Sequence, residues 1–182
     1  MTASKPSWQK KRVELDLEEV AGDGSFSGYA SIFGSLDLGH DIIAPGAFAA
    51  SLRRRGPPDI RMLFQHDPDQ PIGRWTAIRE DGRGLHVEGK LALATSRGRE
   101  IHALMKAGAL DGLSIGFRTL KAARQQKGGV RRILMADLWE ISIVTFPMQP
   151  EARVTSVKHL SPEEHLIATI RRATRIVAGH GA

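Results

Sequence analysis

Three polar residues sit inside stretches that otherwise read as apolar strands: Ser114, His66 and Glu140. In "ALDGLSIGF", Ala109 to Phe117, strand alternation sends Leu113, Ile115 and Phe117 to one side and Gly112, Ser114 and Gly116 to the other. A face of glycine, serine and glycine buries almost nothing, and glycine weakens a strand interior unless another backbone or a ligand approaches there. Gly112 and Gly116 are therefore expected to flank an extended substrate whose carbonyl lies against the Ser114 hydroxyl. In "IRMLFQH", Ile60, Met62, Phe64 and His66 share one face. Asp67-Pro68 is expected to end that strand and leave the imidazole at a rim. In "DLWEISIV", Leu138, Glu140, Ser142 and Val144 share one face, and Trp139, Ile141 and Ile143 the other. Both faces are largely apolar, so the strand is expected to be buried on both sides. A carboxylate in that setting needs a donor partner.

A serine hydroxyl is a poor nucleophile until an adjacent base takes its proton, and the base works better when a third group fixes its tautomer. Ser114, His66 and Glu140 fit those three roles, and roles rather than chain order define such a site. Each residue also has a plainer reading. A serine commonly caps an element or faces water, a histidine ending an apolar row is commonly a satisfied core residue, and Glu140 could pair with Arg118 or Arg131. The cluster His66, Asp67 and Asp69 resembles a metal site only in composition. No second histidine follows at the spacing of four and the chain has no cysteine, so a turn is expected there. A metal-dependent hydrolase using His66 and Asp69 is the second enzyme reading. No phosphate-binding glycine loop is present, and no cofactor is implied.

The elements that must position these residues follow from periodicity. "RVELDLEEV" alternates as a half-buried strand, and "AGDGSFSGYASIF" gives a glycine-rich turn and a second strand, together a hairpin. A loop leads to a short helix over Ala47–Leu52, with Pro45 near its start. "RWTAIREDGRGLHVEGKLAL" gives two strands about a tight turn, and a helix runs from about Gly98 to a stop at Gly108. After the Ser114 strand come the polar loop "KAARQQKGG" and a long β-branched strand ending at Pro147. Ser161, Pro162 and Glu164 form a capping box that opens a last helix. Six or seven strands with two or three helices predict a mainly β fold: a largely antiparallel closed barrel with helices packed outside. The expected organisation is a flexible basic tail over 1–12, a barrel domain over 13–157, and a C-terminal helix and tail over 158–182.

Composition narrows the classes of function. The 182 residues suit one domain with a real core, and no run approaches the roughly 18 apolar residues of a membrane span. "MTASKPSWQKKR" has no apolar core and so is not a secretory signal. The absence of cysteine excludes disulfides and a thiol nucleophile. Of the net charge of +6, Lys5, Lys10, Lys11 and Arg12 supply +4, leaving +2 for the other 170 residues. No basic stripe interleaved with stacking rings accompanies it, so a nucleic-acid partner is not expected.

These stretches, taken in order, resemble a family. "GLSIGF", with "FQHD…PIG" upstream and "WEISIVTFPMQPEA" downstream, looks like the prohead maturation serine proteases of tailed bacteriophages. "DIIAPGAF" and "GLHVEGKL" are similar to that family's opening and middle segments, and the likeness covers roughly residues 25 to 157. The resemblance implies a β-barrel protease fold shared with the herpesvirus assembly proteases, whose triad is Ser-His-His. It carries the nucleophile onto Ser114, the general base onto His66 and the third role onto Glu140, with Asp137 on the opposite face as competitor. It further implies cleavage of the scaffolding segment of the major capsid protein, and of the protease itself. The place would be the immature capsid in a bacterial cytoplasm, or a prophage-derived particle such as a gene transfer agent. The herpesvirus likeness implies a homodimer. The rival from another class is a non-catalytic barrel that assists capsid assembly or binds nucleic acid.

Overall fold

Small polar residues alternate with apolar ones along most of the chain, and the segments that do so pair into a single eight-stranded sheet. The computed structural model describes residues 22–124 and 129–156. The strands are β1 (Ser25–Ile32), β2 (Asp41–Ile43), β3 (Arg61–Phe64), β4 (Asp67–Glu80), β5 (Gly84–Leu91), β6 (Gly112–Arg124), β7 (Arg131–Val144) and β8 (Val154–Ser156). Two helices, α1 (Ala49–Arg54) and α2 (Ser96–Lys106), accompany them. The basic tail over 1–12, the strand expected from Val13, the tip of the polar loop after β6 and the helix expected from Ser161 lie outside the described residues.

Strand β7 organises the sheet. One edge takes β6 antiparallel along nearly its whole length. The other edge takes two partners that run parallel to it: β2 against Arg131–Ile133 and β3 against Glu140–Ile143. From β3 the sheet continues antiparallel through β4, β5 and β1 to β8. The expectation of a closed antiparallel barrel is therefore corrected to a mixed sheet curled into a half-barrel. The cause is the crossover from β2 through α1 to β3, which lays two short strands in the same direction along one edge of β7. Residues at the start of β8 and just before it hydrogen-bond to β1 and to the beginning of β6. Arg153 O accepts from Tyr29 N at 3.0 Å, Ala152 O accepts from Leu113 N at 2.9 Å, and Val154 N donates to Asp111 O at 2.9 Å.

The core gathers the inward residues of every long strand. Phe26 and Trp75 meet edge to face at 5.6 Å, among Ile72, Leu85, Val87, Leu113, Ile141 and Ile143. Burying each of these large side chains contributes about 1.5–3 kcal/mol, so the cluster outweighs any single polar contact in holding the sheet. Helix α2 begins two residues earlier than expected. The Thr95 side chain accepts from Gly98 N at 3.0 Å as its cap, and Gly108 at φ +67° ends the turn that follows.

Candidate active site

The β6–β7 pair sets the floor of the site. Gly112 pairs with Val144, Ser114 with Ser142 and Gly116 with Glu140, so these side chains share one face while Leu113, Ile115, Ile141 and Ile143 share the other. At the next step Phe117 pairs with Leu138, which leaves Trp139 as an extra residue in a bulge. The bulge corrects the expected burial of both faces of β7. Trp139 is turned out to 51 % exposure beneath the Arg55 guanidinium, and its indole N–H donates to Asp137 Oδ2 at 3.1 Å. A bulge re-aims the side chain beside it, and here the neighbour is Glu140. Its carboxylate lies over Gly116, where a Cβ would stand 2.1 Å from Glu140 Oε1. At Gly112 a Cβ would stand 2.5 Å from Val144 O and 2.9 Å from Pro147 Cδ. The bare strip is thus filled by the chain's own atoms, backbone at Gly112 and the Glu140 side chain at Gly116.

The imidazole comes from the opposite edge of β7. Asp67-Pro68 does not end the preceding strand: β3 stops at Phe64, and Asp67 already opens β4. Phe64 pairs with Asp67, so Gln65 and His66 form a two-residue turn, at φ 55° and 61°. Both central residues are left-handed, the geometry that Asn-Gly normally supplies, and each costs about 1–2 kcal/mol for a residue bearing a Cβ. Three contacts with β7 and the residue after it hold the turn. Gln65 N donates to Ile143 O at 3.0 Å, His66 N to Ser142 Oγ at 3.1 Å, and Gln65 Nε2 to Thr145 Oγ1 at 2.7 Å.

The result is a continuous hydrogen-bonded line. His66 Nε2 lies 2.9 Å from Ser114 Oγ, and His66 Nδ1 lies 2.7 Å from Glu140 Oε1. A carboxylate can only accept, so Nδ1 carries the proton and Nε2 of the neutral ring is left to accept from the serine hydroxyl. The second carboxylate oxygen, Glu140 Oε2, accepts from Ser142 Oγ at 2.6 Å. The hydrogen bond that His66 donates to Glu140 raises the His66 pKa above its ordinary value; partial burial opposes this and the Glu140 charge adds to it. Ser114 is 4 % exposed. Beside it lies a small recess lined by residues that include Ser31, Asp37, Met148 and Gln149.

The competing assignments fall elsewhere. Arg131 pairs with Asp41 at 2.5 Å, and Arg118 lies 3.7 Å from Asp137, so neither arginine is the partner of Glu140. Asp137 is buried on the far side of β7, where it meets Arg54, Arg55 and Ser51. Asp67 directs its carboxylate to Asp69 N at 2.9 Å and Gln70 Nε2 at 2.7 Å, at the start of β4. Among the described residues no three His, Cys, Asp or Glu stand where they could hold a metal ion, and no helix is long and apolar enough to cross a membrane. The sequence reasoning passed over Ser142, Gln65 and Thr145. Only Ser142 carried a signal, as a hydroxyl on the same face as Glu140.

Comparison with known proteins places this geometry in context. The model of the caudovirus prohead serine protease family matches residues 11–165. The chain belongs to that family. It is a serine peptidase of phage procapsid maturation. The prohead protease of Enterobacteria phage HK97 is 35 % identical over 156 residues, covering 81 % of this chain and 68 % of that protein. A capsid polyprotein of Pseudomonas phage PAJU2 is 31 % identical over 143 residues, which are 75 % of this chain and 20 % of that protein. The half-barrel recurs in two solved structures. The capsid assembly protease of bacteriophage T4 aligns with TM-score 0.53 at 11 % identity, over 66 % of this chain and 80 % of that one. The KSHV protease bound to a hexapeptide phosphonate inhibitor aligns with TM-score 0.51 at 13 % identity, over 71 % of this chain and 63 % of that one. At such identities the likeness is one of fold.

Proposed function

We propose that Ser114 is the nucleophile of this prohead protease, His66 its general base and Glu140 the residue that orients the base. The observation that carries the assignment is the line from Ser114 Oγ through both imidazole nitrogens to Glu140, at 2.9 and 2.7 Å. His66 Nε2 takes the hydroxyl proton as Ser114 Oγ bonds to the scissile carbonyl carbon. Glu140 stabilises the imidazolium that forms. The imidazolium returns its proton to the leaving amine nitrogen as the C–N bond breaks, which leaves an ester on Ser114. A water then gives a proton to the same nitrogen as its oxygen bonds to the ester carbon; the imidazolium passes that proton to Ser114 Oγ as the ester C–O bond breaks, and the second product leaves as a carboxylic acid that ionises in solution.

The substrates we assign are the scaffolding segment of the major capsid protein and the protease itself, inside the immature shell. A capsid partner is supported by the capsid polyprotein that matches this chain over one fifth of its own length. The deciding experiment is coexpression with the cognate capsid protein. Ser114→Ala abolishes trimming of the capsid precursor while circular dichroism and melting stay those of a folded protein. Persistent trimming by the folded variant overturns the assignment.

A further inference from the structure

The site contains one fully buried hydroxyl that the proton-transfer scheme leaves unused. Ser142 is 0 % exposed and lies directly across from Ser114 in the β6–β7 register. Its Oγ lies 2.6 Å from Glu140 Oε2 and 3.1 Å from the backbone nitrogen of His66. The two neighbours leave a single way to orient the hydroxyl. A backbone N–H can only donate and a carboxylate can only accept, so Ser142 gives its one proton to Glu140 and offers a lone pair to His66. We propose that Ser142 is a positioning residue: its hydroxyl fixes the Glu140 carboxylate and the His66 backbone to one point, and so sets the distance between base and acid. This rests on the roles assigned above to His66 and Glu140.

Two features make the tether consequential. His66 is the second of two left-handed residues in a turn with no glycine or asparagine to relax it, so its backbone holds position through contacts such as the one to Ser142. Glu140 ends in a rotatable carboxylate, and a grip on Oε2 leaves Oε1 directed at His66 Nδ1. Without the hydroxyl, one half-buried carboxylate oxygen and one backbone donor lose their partner together.

The test uses a pair of variants with the same shape. Ser142→Thr keeps the hydroxyl and Ser142→Val lacks it, so any burden of the added methyl groups is shared. Relative to S142T, S142V is expected to lower kcat about 10- to 100-fold with KM within about twofold, the scale of one hydrogen bond to a charged group. In the Ser114→Ala background, which cannot cleave itself, the far-downfield proton NMR signal of His66 Nδ1–H is expected with S142T and lost or strongly broadened with S142V. A merely structural serine would move the melting temperature and leave that signal in place. Equal kcat values and the same downfield signal in both variants overturn the proposal. If the β-branched pair does not fold, S142A, which only removes atoms, is read against the unsubstituted residue by the same two measurements. The NMR readout needs no turnover, so it stands or falls separately from the assignment of Ser114 as nucleophile.

Discussion

Two acids on β7 illustrate how surroundings divide similar side chains into different work. Asp137 is pushed up by burial, but Arg54 and Arg55, with hydrogen bonds from Ser51 and Trp139, outweigh this and hold its pKa below the ordinary value. It is committed to cations of helix α1 and its margin. Glu140 instead faces an imidazole. Asp137→Asn is accordingly expected to lower the melting temperature while kcat per folded molecule stays as it was, a result that enzyme assay and calorimetry on one sample would give. Glu140→Gln is expected to lower kcat by orders of magnitude with little change in KM. It also shifts the pH dependence in a defined direction. Glu140 raises the pKa of His66, and Asp67, the next residue, has its carboxylate turned to Asp69 and Gln70 of its own strand. The base must be neutral to act, so activity rises with pH through that raised value, and the acid limb of kcat/KM should move to lower pH in the glutamine variant. The same linkage makes the His66–Glu140 pair stabilise the fold below about pH 6.5, the unfolded imidazole value, and lose that effect as pH rises through the folded value. The stability difference between wild type and E140Q is therefore largest in acid, as denaturation at several pH values would show.

Local elements account for what alternation could and could not reveal. The period of two in "GLSIGF" and "WEISIV" was enough to place Ser114 with Gly116 and Glu140 with Ser142, because β6 and β7 keep strict register from Gly112 to Gly116. The same period misled beyond that point, since the bulge at Trp139 adds a residue that leaves no mark in hydrophobicity. The turn at Gln65-His66 was equally silent. Left-handed pairs are ordinarily signalled by asparagine and glycine, and here the conformation is imposed by β7 rather than by local preference. The glycines were noticed, but their reason lay in the partner strand. Gly116→Ala places a methyl group against Glu140 Oε1, and must displace that carboxylate. It is expected to reduce kcat nearly as far as E140Q does, with the fold retained by circular dichroism, whereas unchanged turnover would show that Glu140 need not lie over residue 116.

For the whole molecule, the closed antiparallel barrel failed as an expectation because hydrophobic patterning says which face is buried and nothing about which strand lies alongside. The pairing of residues 61–64 with 140–143 joins segments far apart in sequence, in parallel, and no short-range signal announces it. Such long-range pairs also slow folding, because loop closure must precede their reward. The ends of the curled sheet are held by a second long-range device. Gln149 is buried, and its amide uses both ends: Oε1 accepts from Ile32 N at 2.7 Å, and Nε2 donates to Ile32 O at 2.8 Å and Ser35 O at 3.3 Å. Gln149→Ala leaves β1 groups unpaired and should cost about 1–3 kcal/mol of stability, read as a lower urea midpoint with an unchanged slope. The pattern of strand β7 carries a further consequence, for timing. Synthesis on the ribosome delivers the imidazole first, the alcohol some fifty residues later and the acid last, on the strand that all the others in the site must meet. A nascent chain therefore holds every earlier component of a cutting machine without being one, and the blade is set only when the final long strand slides into the sheet.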